Sequence, residues 1–580
     1  MKFTFSNHGE KTMPTHYINA IPLSSMAKIF PEADPQDTPL TQISCLANEP
    51  LSFQVAYKLV SDQFFTVGTY VKIESELSIS LYAVGYVPVL QTRDIELDDH
   101  YRPGLFGDIL YPKKKNPKIK ECRYPWASVY IEDDKTRLIA RTDSWQSIFL
   151  TVNEAGKRQK GGIYPIKLTF CSMKDNAPLA ECSITLHVIC ATLPKQKLKY
   201  TNWFHCDCLC DMYGVEPFSD RFYKIFANYV EKAAQNGMNT ILTPCFTPPL
   251  DTPVGDERMT IQLVDVTVTD GEYSFDFSKL ERFMDVAMKN GMEYFEHSHF
   301  FTQWGAENAP KIMATVDGKY RRIFGWDTVA YGKKYTAFLQ AYIKALLAFL
   351  KERGLDKNFI YHVSDEPRPQ HHDSYRRARA ALGDLLDGYT VCDALSHYEY
   401  YEDGTVTTPI VVTYCLDDFY GKAKHLWGYY TGGRAFRGMP NRKLNTTGVR
   451  NRMFGVQMYM YELEGFLHWG YNYWYGILSQ SIMDPRTDPG VFSGGCPGSA
   501  SLVYPAANGD CLQSIRQKVF YEAINDMRAL LALERRIGKR KTRTFVTDFF
   551  GKVDFEHVLG TADELLAFRE ALNAEIAKHL

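Results

Sequence analysis

The sequence has no long apolar run, no excess of basic residues and no apolar leader at its start. None of its apolar stretches approaches the ~20 residues that a membrane span needs, and the first twenty residues lack the apolar core of a secretory signal. We therefore expect a cytoplasmic protein without a membrane partner. Lys and Arg number 66 against 68 Asp and Glu, a net charge of -2, which argues against a nucleic-acid partner.

Several familiar catalytic and binding motifs are also missing. No G-x-G-x-x-G follows the first strand of the α/β region, and no G-x4-G-K-[ST] occurs, so nucleotide binding has no support. The G-x-S-x-G elbow of serine hydrolases is absent as well. The 13 cysteines include Cys206, Cys208 and Cys210, but this spacing is wrong for a zinc knuckle, and we expect reduced thiols and no metal.

The first 196 residues have the pattern of an all-β domain. The chain is 45% hydrophobic and 23% charged, ordinary values for a folded protein. Runs rich in Val, Ile, Thr, Tyr and Phe occupy residues 51–59, 65–73, 77–87, 147–152, 163–171 and 180–189, with turn-forming residues between them. Short strands with regular turns and no helical period predict a β-sandwich over residues 1–196, without catalytic residues. Residues 193–197 are a plausible linker.

Strands and helices alternate over residues 197–540. A predicted helix followed by a glycine and a strand recurs at Gly237, Gly291 and Gly354, and glycine commonly follows the end of a helix. About eight strands, most of them followed by helices, indicate a (β/α)8 barrel, with a doubly wound open sheet as the alternative. Residues 541–580 are predicted to be a helical tail packed on the barrel, with an amphipathic closing helix at 561–580.

The strongest chemical signal is a pair of carboxylates, Asp365 and Glu366, at the end of an apolar strand. Catalytic residues of such barrels lie at the carboxyl ends of the strands, and buried carboxylates are costly unless they are paired, protonated or used. Two close carboxylates push their pKa values apart, so that one can serve as a general acid. The alternative is a structural cap for the following helix, although Pro367 and Pro369 delay that helix.

Aromatic residues at strand ends suggest a sugar pocket. The segment 465–474 contains Trp469, Asn472 and Trp474, whose flat rings and amide suit the faces and hydroxyls of a sugar. For any single aromatic residue, core packing is the more common explanation. A cluster favours a pocket, and other strand ends contribute His205, Trp427, Trp203 and Trp304.

His297 and His299 form an H-x-H pair at another strand end. Alternate residues of a strand face one side, so the two imidazoles are a plausible metal pair, as in metal-dependent barrel hydrolases. Ordinary hydrogen-bonding histidines are the more common case, and no further ligand set completes a metal site.

At these positions the chain resembles glycoside hydrolase family 123, the β-N-acetylgalactosaminidase family. The resemblance lies first in residues 361–367, YHVSDEP, which are similar to the SDEP strand of that family. Further similar segments are 465–469 with Asn472 and Trp474, then 504–505, 514–516 and 525–526, and upstream 103–110. The ordered set touches most of the chain and is more specific than the SDEP element alone.

The resemblance implies a sandwich followed by a barrel that removes terminal β-linked N-acetylgalactosamine from a glycan, without a cofactor. The reaction would retain configuration and use the 2-acetamido carbonyl of the substrate as nucleophile. Glu366 would be the general acid/base, protonated at rest, and Asp365 would stay ionised and orient the acetamido group. Tyr414, at another strand end, is a candidate to hydrogen-bond the acetamido oxygen, and His205, His297 and Trp427 are candidates for substrate binding.

Two other classes of function remain open from the sequence. One is a metal-dependent barrel hydrolase that uses His297 and His299. The other is a catalytically silent carbohydrate-binding protein with the same fold. Aglycone, exo or endo action and oligomeric state have no signal in the sequence.

Overall fold

The computed structural model describes residues 16–62, 64, 66–90, 103–112, 130–132, 135–431, 439–489 and 496–580. The chain forms two compact units. The first consists of residues 1–86 and 110–190, and the second of residues 87–109 and 191–580. The second unit therefore takes in one segment from the amino-terminal third of the chain.

The amino-terminal third is rich in strands, as predicted. Its strands are β1 (His16–Ser24), β2 (Gln42–Leu46), β3 (Leu51–Ser61), β4 (Thr66–Glu74), β5 (Ile79–Val89), β6 (Gly104–Pro112), β7 (Tyr130–Glu132), β8 (Lys135–Arg141), β9 (Gln146–Val152), β10 (Gly162–Ser172) and β11 (Pro178–Ile189). Within the first unit one sheet has the order β1-β3-β9-β5 and the other β2-β11-β10-β4-β8-β7. β1 contacts β11 of the other sheet. The predicted strand at 65–73 corresponds to β4, and Phe65 lies outside the described residues.

The second unit alternates strands and helices. Its strands are β12 (Lys199–Asn202), β13 (Thr240–Thr243), β14 (Asp265–Thr269), β15 (Glu272–Asp276), β16 (Tyr294–His297), β17 (Ile312–Val316), β18 (Lys319–Phe324), β19 (Phe359–His362), β20 (Thr390–Leu395), β21 (Thr408–Val412), β22 (Trp427–Tyr429), β23 (Gly465–His468), β24 (Tyr504–Pro505) and β25 (Cys511–Ser514).

The α-helices of this unit include short and long elements. They are α1 (Cys206–Tyr213), α2 (Asp220–Gln235), α3 (Ser278–Lys289), α4 (Lys333–Glu352), α5 (His372–Ala381), α6 (Glu399–Glu402), α7 (Leu416–Phe419), α8 (Gly448–Arg452), α9 (Phe454–Met460), α10 (Ile515–Ile537), α11 (Lys539–Phe550) and α12 (Ala562–Lys578). Short 3-10 turns occupy Pro369–His371, Thr413–Cys415 and Ile477–Ser479.

Eight parallel strands close into a barrel in the order β12-β13-β16-β19-β20-β21-β22-β23. The predicted barrel is thus confirmed, and the open-sheet alternative is wrong. Gly237, Gly291 and Gly354 follow α2, α3 and α4 with φ values of 84°, 105° and 67°. Because this left-handed backbone is costly for other residues, the three glycines let each helix end and turn toward the next strand.

One feature of the second unit was not expected: a four-stranded sheet, β15-β14-β17-β18, is inserted between β13 and α4. The predicted closing helix at 561–580 corresponds to α12, which begins with a capping box between Thr561 and Glu564, and α11 precedes it. No helix in the described part of the chain is long and apolar enough to cross a bilayer.

Candidate active site

Asp365 and Glu366 lie directly after β19, at the carboxyl end of the barrel. The turn that carries them is fixed from below by Asp393 of β20, whose two carboxylate oxygens accept hydrogen bonds from the backbone amides of Val363 and Ser364, each at 3.1 Å. The Ser364 hydroxyl donates to the carbonyl of Thr302 at 2.7 Å. Glu366 has a φ of 40°, a conformation that non-glycine residues adopt at a cost. The surrounding hydrogen bonds therefore hold this carboxylate pair in a strained turn.

A buried ionic network forms the floor beneath the pair. His362 donates from Nε2 to Glu296 at 2.9 Å and its Nδ1 lies 3.4 Å from Asp393. Glu296 also accepts hydrogen bonds from Thr201 and, at 3.4 Å, from the indole of Trp203. Burial opposes the charge on His362, but the neighbouring Cys392, Asp393 and Glu296 raise its pKa well above the usual range. The floor is thus a charged imidazole between two carboxylates.

Burial raises the pKa of Asp365 well above its usual range, and the charges of Glu366, Asp251 and Asp393 raise it further, against the opposing effect of His362. Both carboxylates of the pair are partly exposed. The raised pKa of Asp365 favours its protonated form in the free protein, whereas the sequence predicted an ionised Asp365. The cause is that several negative charges surround Asp365 in a site that water enters only partly.

Tyr429, the last residue of β22, donates a hydrogen bond to Oε1 of Glu366 at 2.6 Å. Burial and the nearby carboxylates of Glu366 and Asp365 raise the pKa of Tyr429 well above its usual range, so the hydroxyl keeps its proton and remains a donor. Tyr414, which follows β21 and has an exposed fraction of 39%, is close enough to interact electrostatically with Tyr429. A contact of Tyr414 with the acetamido oxygen stays a prediction.

Asp251 is a third carboxylate of the site. Its backbone is left-handed, with a φ of 54°. Two hydrogen bonds hold this backbone: the Gln303 side chain accepts from the Asp251 amide at 2.9 Å, and the Ser479 hydroxyl donates to the Asp251 carbonyl at 2.8 Å. In the described part of the chain no side chain donates a hydrogen bond to its carboxylate. Burial raises the pKa of Asp251 to about 6; Arg258 opposes the shift and Glu366 adds to it.

The H-x-H pair does not form a shared metal site. His297 points away from the barrel interior: its Nδ1 donates to the Ser298 carbonyl, and its Nε2 lies 2.7 Å from the Tyr342 hydroxyl of α4. His299 faces the interior, with its ring 4.7 Å from that of His362. Burial lowers the pKa of His297 to about 3, so this imidazole is neutral. The expected substrate-binding role of His297 is wrong because the residue is buried and both of its ring nitrogens already have partners away from the barrel interior.

His299, His362 and Asp393 do bring ligand atoms within 4.8 Å of one another. The two ring nitrogens of His299 have no hydrogen-bond partner among the described residues. Both nitrogens of His362, however, are already turned to Glu296 and Asp393, and a metal ligand must be an unprotonated imidazole. The arrangement therefore fits a protonated His362 better than a metal ligand set.

Asn472 and Trp474 stabilise the fold and do not line a sugar pocket. Asn472 is fully buried, and its amide accepts from the His205 backbone amide at 2.8 Å and donates to the His205 carbonyl at 2.9 Å. Trp474 packs on Tyr229 of α2 and donates to the carbonyl of Val503 at 3.3 Å. The predicted sugar contacts of these two residues are wrong because their side chains are buried and their polar atoms already have partners. His205 Nε2 lies 2.9 Å from the carbonyl of Trp469, and a substrate contact of His205 stays a prediction.

The predicted substrate contact of Trp427 is also wrong, whereas Trp469 remains a candidate for substrate binding. Trp427 is the first residue of β22 and lies against Lys199, the first residue of β12, at the amino-terminal end of the barrel. It is 1% exposed and on the side opposite the pair. Trp469 follows β23 at the carboxyl end, is partly buried, and packs against the interior cluster that contains Trp203 and Tyr429. A stacking role for Trp469 stays a prediction.

Sequence reasoning missed four residues of the site: Glu296, Asp393, Asp251 and Tyr429. Two of them carried a signal, because Glu296 and Asp393 are carboxylates within otherwise apolar strands, where a charge requires a partner. Asp251 and Tyr429 carried none, since neither a loop aspartate nor a strand tyrosine is unusual. Only the closed barrel brings them to the pair.

A closed parallel barrel with two carboxylates at a strand end is an arrangement suited to glycoside hydrolysis. Residues 203–533, more than half of the chain, match the family described as glycoside hydrolase 123, catalytic domain. The chain therefore belongs to glycoside hydrolase family 123, and the resemblance noted in the sequence is confirmed.

One solved structure shares the fold over nearly the whole chain. A family 123 glycoside hydrolase from Clostridium perfringens superposes with a TM-score of 0.71 at 11% identity, covering 97% of this chain and 98% of that chain. A family 39 glycoside hydrolase from Bacteroides cellulosilyticus gives a TM-score of 0.30 at 10% identity, with 69% and 76% covered. The β-glucuronidase of Bacteroides uniformis gives 0.27 at 8% identity, with 90% and 50% covered. No curated protein matches the sequence significantly.

Proposed function

We propose that the protein is a retaining β-N-acetylgalactosaminidase that uses the 2-acetamido group of its substrate as nucleophile. The observation that carries the proposal is the adjacent pair Asp365 and Glu366 at the carboxyl end of the barrel, in a chain of family 123. A mechanism of this kind needs no protein nucleophile, so one carboxylate can serve the leaving group and the other the acetamido group.

In this proposal Glu366 protonates the glycosidic oxygen and later activates water, while Asp365 accepts a hydrogen bond from the acetamido N–H. Tyr429 supports the role of Glu366, because a single strong hydrogen bond to Oε1 fixes the direction of the carboxyl group. General-acid catalysis of this type contributes about 10²–10⁴-fold. The positive charge that develops as the oxazolinium ring closes is stabilised by the carboxylates around it.

The raised pKa of Asp365 bears on this role. In the free protein Asp365 favours its protonated form. A hydrogen bond from the acetamido N–H favours the ionised form of the carboxylate that accepts it, so we expect substrate binding to favour the ionised form of Asp365.

Asp251 is a further binding group in this proposal. Its carboxylate interacts electrostatically with both members of the pair and has no internal donor in the described part of the chain. A carboxylate in that state is suited to accept hydrogen bonds from sugar hydroxyls, which are donors at neutral pH. We assign it to the hydroxyls of the terminal sugar.

The substrate class is a glycan. The Clostridium perfringens family 123 structure was determined in a study of glycolipid glycan hydrolysis, and the two chains share the fold over nearly their whole length. We propose a glycan of a glycoconjugate with a terminal β-linked N-acetylgalactosamine as the substrate here.

The roles of the pair are tested by comparing Glu366→Gln and Asp365→Asn on N-acetyl-β-galactosaminides with leaving groups of different acidity. Glu366→Gln should lose most activity on poor leaving groups and much less on activated aryl glycosides, whose departure needs little protonation. Asp365→Asn should lose activity on every substrate, because ring closure itself is impaired.

Glu272→Gln is a matched control, since Glu272 of β15 is an exposed glutamate outside the site. It should keep wild-type kinetics. Equal losses of Glu366→Gln on poor and activated leaving groups would contradict the acid role.

A further inference from the structure

The loop at residues 302–308, here called the rim loop, is built against the carboxylate pair. Its base is closed by two hydrogen bonds between Thr302 and Asn308, at 2.9 and 3.3 Å. The Thr302 carbonyl accepts from Ser364, and the amide of Trp304 donates to the carbonyl of Asp365 at 3.2 Å. The rim loop thus touches the catalytic turn at two consecutive residues.

The middle of the rim loop is strained. Trp304, Gly305 and Ala306 have φ values of 56°, 129° and 53°, and left-handed backbone is unfavourable for a bulky residue such as tryptophan. Two contacts maintain it. Ala306 is fully buried, and Gly305 lies so close to His371 that an added Cβ would come within 3.2 Å of its ring. These contacts hold the backbone of Gly305 and Ala306 in place next to Trp304, whose side chain points outward.

The rim loop presents a large aromatic side chain to solvent. Trp304 has an exposed fraction of 49% and is the one exposed tryptophan in the described part of the chain. No described aromatic ring or cation lies against its indole. Packing does not explain why a bulky apolar residue occupies a strained, exposed position next to the catalytic turn, and strain of this kind clusters at ligand sites.

We propose that the indole of Trp304 is the binding platform for the leaving-group part of the substrate, the sugar that follows the scissile bond. This inference rests on the proposed function and extends it by a second subsite. An enzyme that removes a terminal sugar encloses that sugar, and the remainder of the glycan emerges at the mouth of the pocket. A half-exposed ring at the rim meets this remainder, whereas the partly buried Trp469 belongs to the interior.

The chemistry of the ligand follows from the platform. An indole offers an apolar face, and the C–H face of a pyranose is its natural partner in water. The occupant is therefore a second sugar ring that presents its axial C–H groups. The platform adds no hydrogen bonds in the described structure, so it favours glycans with an extended leaving group without fixing the identity of that sugar.

The test compares two substrates whose leaving groups are both unactivated alcohols, and it uses the ratio of variant to wild type on each. One is methyl N-acetyl-β-galactosaminide, and the other is a disaccharide with the same sugar β-linked to galactose. For Trp304→Ala, kcat/KM on the disaccharide should fall about five- to twenty-fold more than on the methyl glycoside, the range expected for loss of one aromatic contact with its buried area. Trp304→Phe, which keeps a flat ring, should recover most of the difference.

Tyr320→Ala is the matched control, because Tyr320 of β18 is an exposed aromatic with an exposed fraction of 62% and should leave the ratio of the two substrates unchanged. Equal losses of Trp304→Ala on both substrates would overturn the inference, and so would no loss on either. If the wild type hydrolyses neither substrate, the proposed function itself fails. If it hydrolyses both and only the Trp304 effect is absent, the inference alone fails.

Discussion

Replacing Asp251 by asparagine should make the protein more stable at neutral pH. Asp251 has its pKa raised from 3.8 to about 6, chiefly by burial, so its ionised form is disfavoured in the folded state. One pKa unit corresponds to about 1.4 kcal/mol, and the shift therefore corresponds to about 3 kcal/mol at pH 7.5. Because the side chain is partly exposed, we expect a gain of about 1–2 kcal/mol in the free energy of unfolding.

The pH dependence gives the prediction its sign. A carboxyl group whose pKa is raised on folding binds more protons in the folded state between about pH 4 and pH 6, so the stability of the wild type falls as pH rises through this window. Asp251→Asn lacks this titration. The difference between variant and wild type should be small at pH 4 and reach its full size at pH 7.5.

Urea unfolding at pH 4 and pH 7.5 measures this difference. Asp256→Asn is the control, because Asp256 is an exposed aspartate of the same loop, and its effect should stay within about 0.5 kcal/mol at both values. If Asp251→Asn were no more stable than the wild type at pH 7.5, or if the gain were equal at both pH values, the assignment of Asp251 as a partly buried charge that destabilises the fold would be wrong.

Three further outcomes follow from the site. Asp251→Asn should also lower kcat/KM about ten-fold, by loss of a charged hydrogen bond to the sugar; unchanged kinetics would remove Asp251 from the binding site. Tyr429→Phe should lower kcat/KM about ten-fold, because it removes the hydrogen bond to Glu366. Tyr430→Phe is the control and should keep full activity, since the buried hydroxyl of Tyr430 has no hydrogen-bond partner among the described residues. Equal effects of the two variants would contradict the role of the Tyr429–Glu366 bond. Dialysis against a chelator should leave activity intact, and loss restored by zinc would favour the metal-dependent alternative.

Local sequence patterns predicted the barrel well because each barrel element carries its own signal. Apolar strands alternate with amphipathic helices, and the glycines after α2, α3 and α4 mark the ends of these helices. The inserted sheet β15-β14-β17-β18 was missed, since its strands are only five or six residues long and β18 is largely exposed. Strands this short are hard to distinguish from a loop.

The positions of Asp365 and Glu366 were predictable because two adjacent charges at the end of an apolar strand have few structural explanations. The directions of the other side chains were not. His297 and His299 have strand-like spacing, but the chain leaves the strand after His297, so the two rings face different surroundings. Asn472 and Trp474 were misassigned because their partners, His205 and Val503, are distant in sequence and meet them only in the folded barrel.

In the proposed reaction the 2-acetamido group of the substrate acts as the nucleophile. The most direct measurement compares the hydrolysis of an aryl N-acetyl-β-galactosaminide with that of the matched aryl β-galactoside, which differs only at C2. We expect turnover of the first, near inertness of the second, and tight inhibition by a thiazoline mimic of the cyclised intermediate. Efficient cleavage of the plain β-galactoside would contradict the proposed reaction, because a protein carboxylate would then have to be the nucleophile.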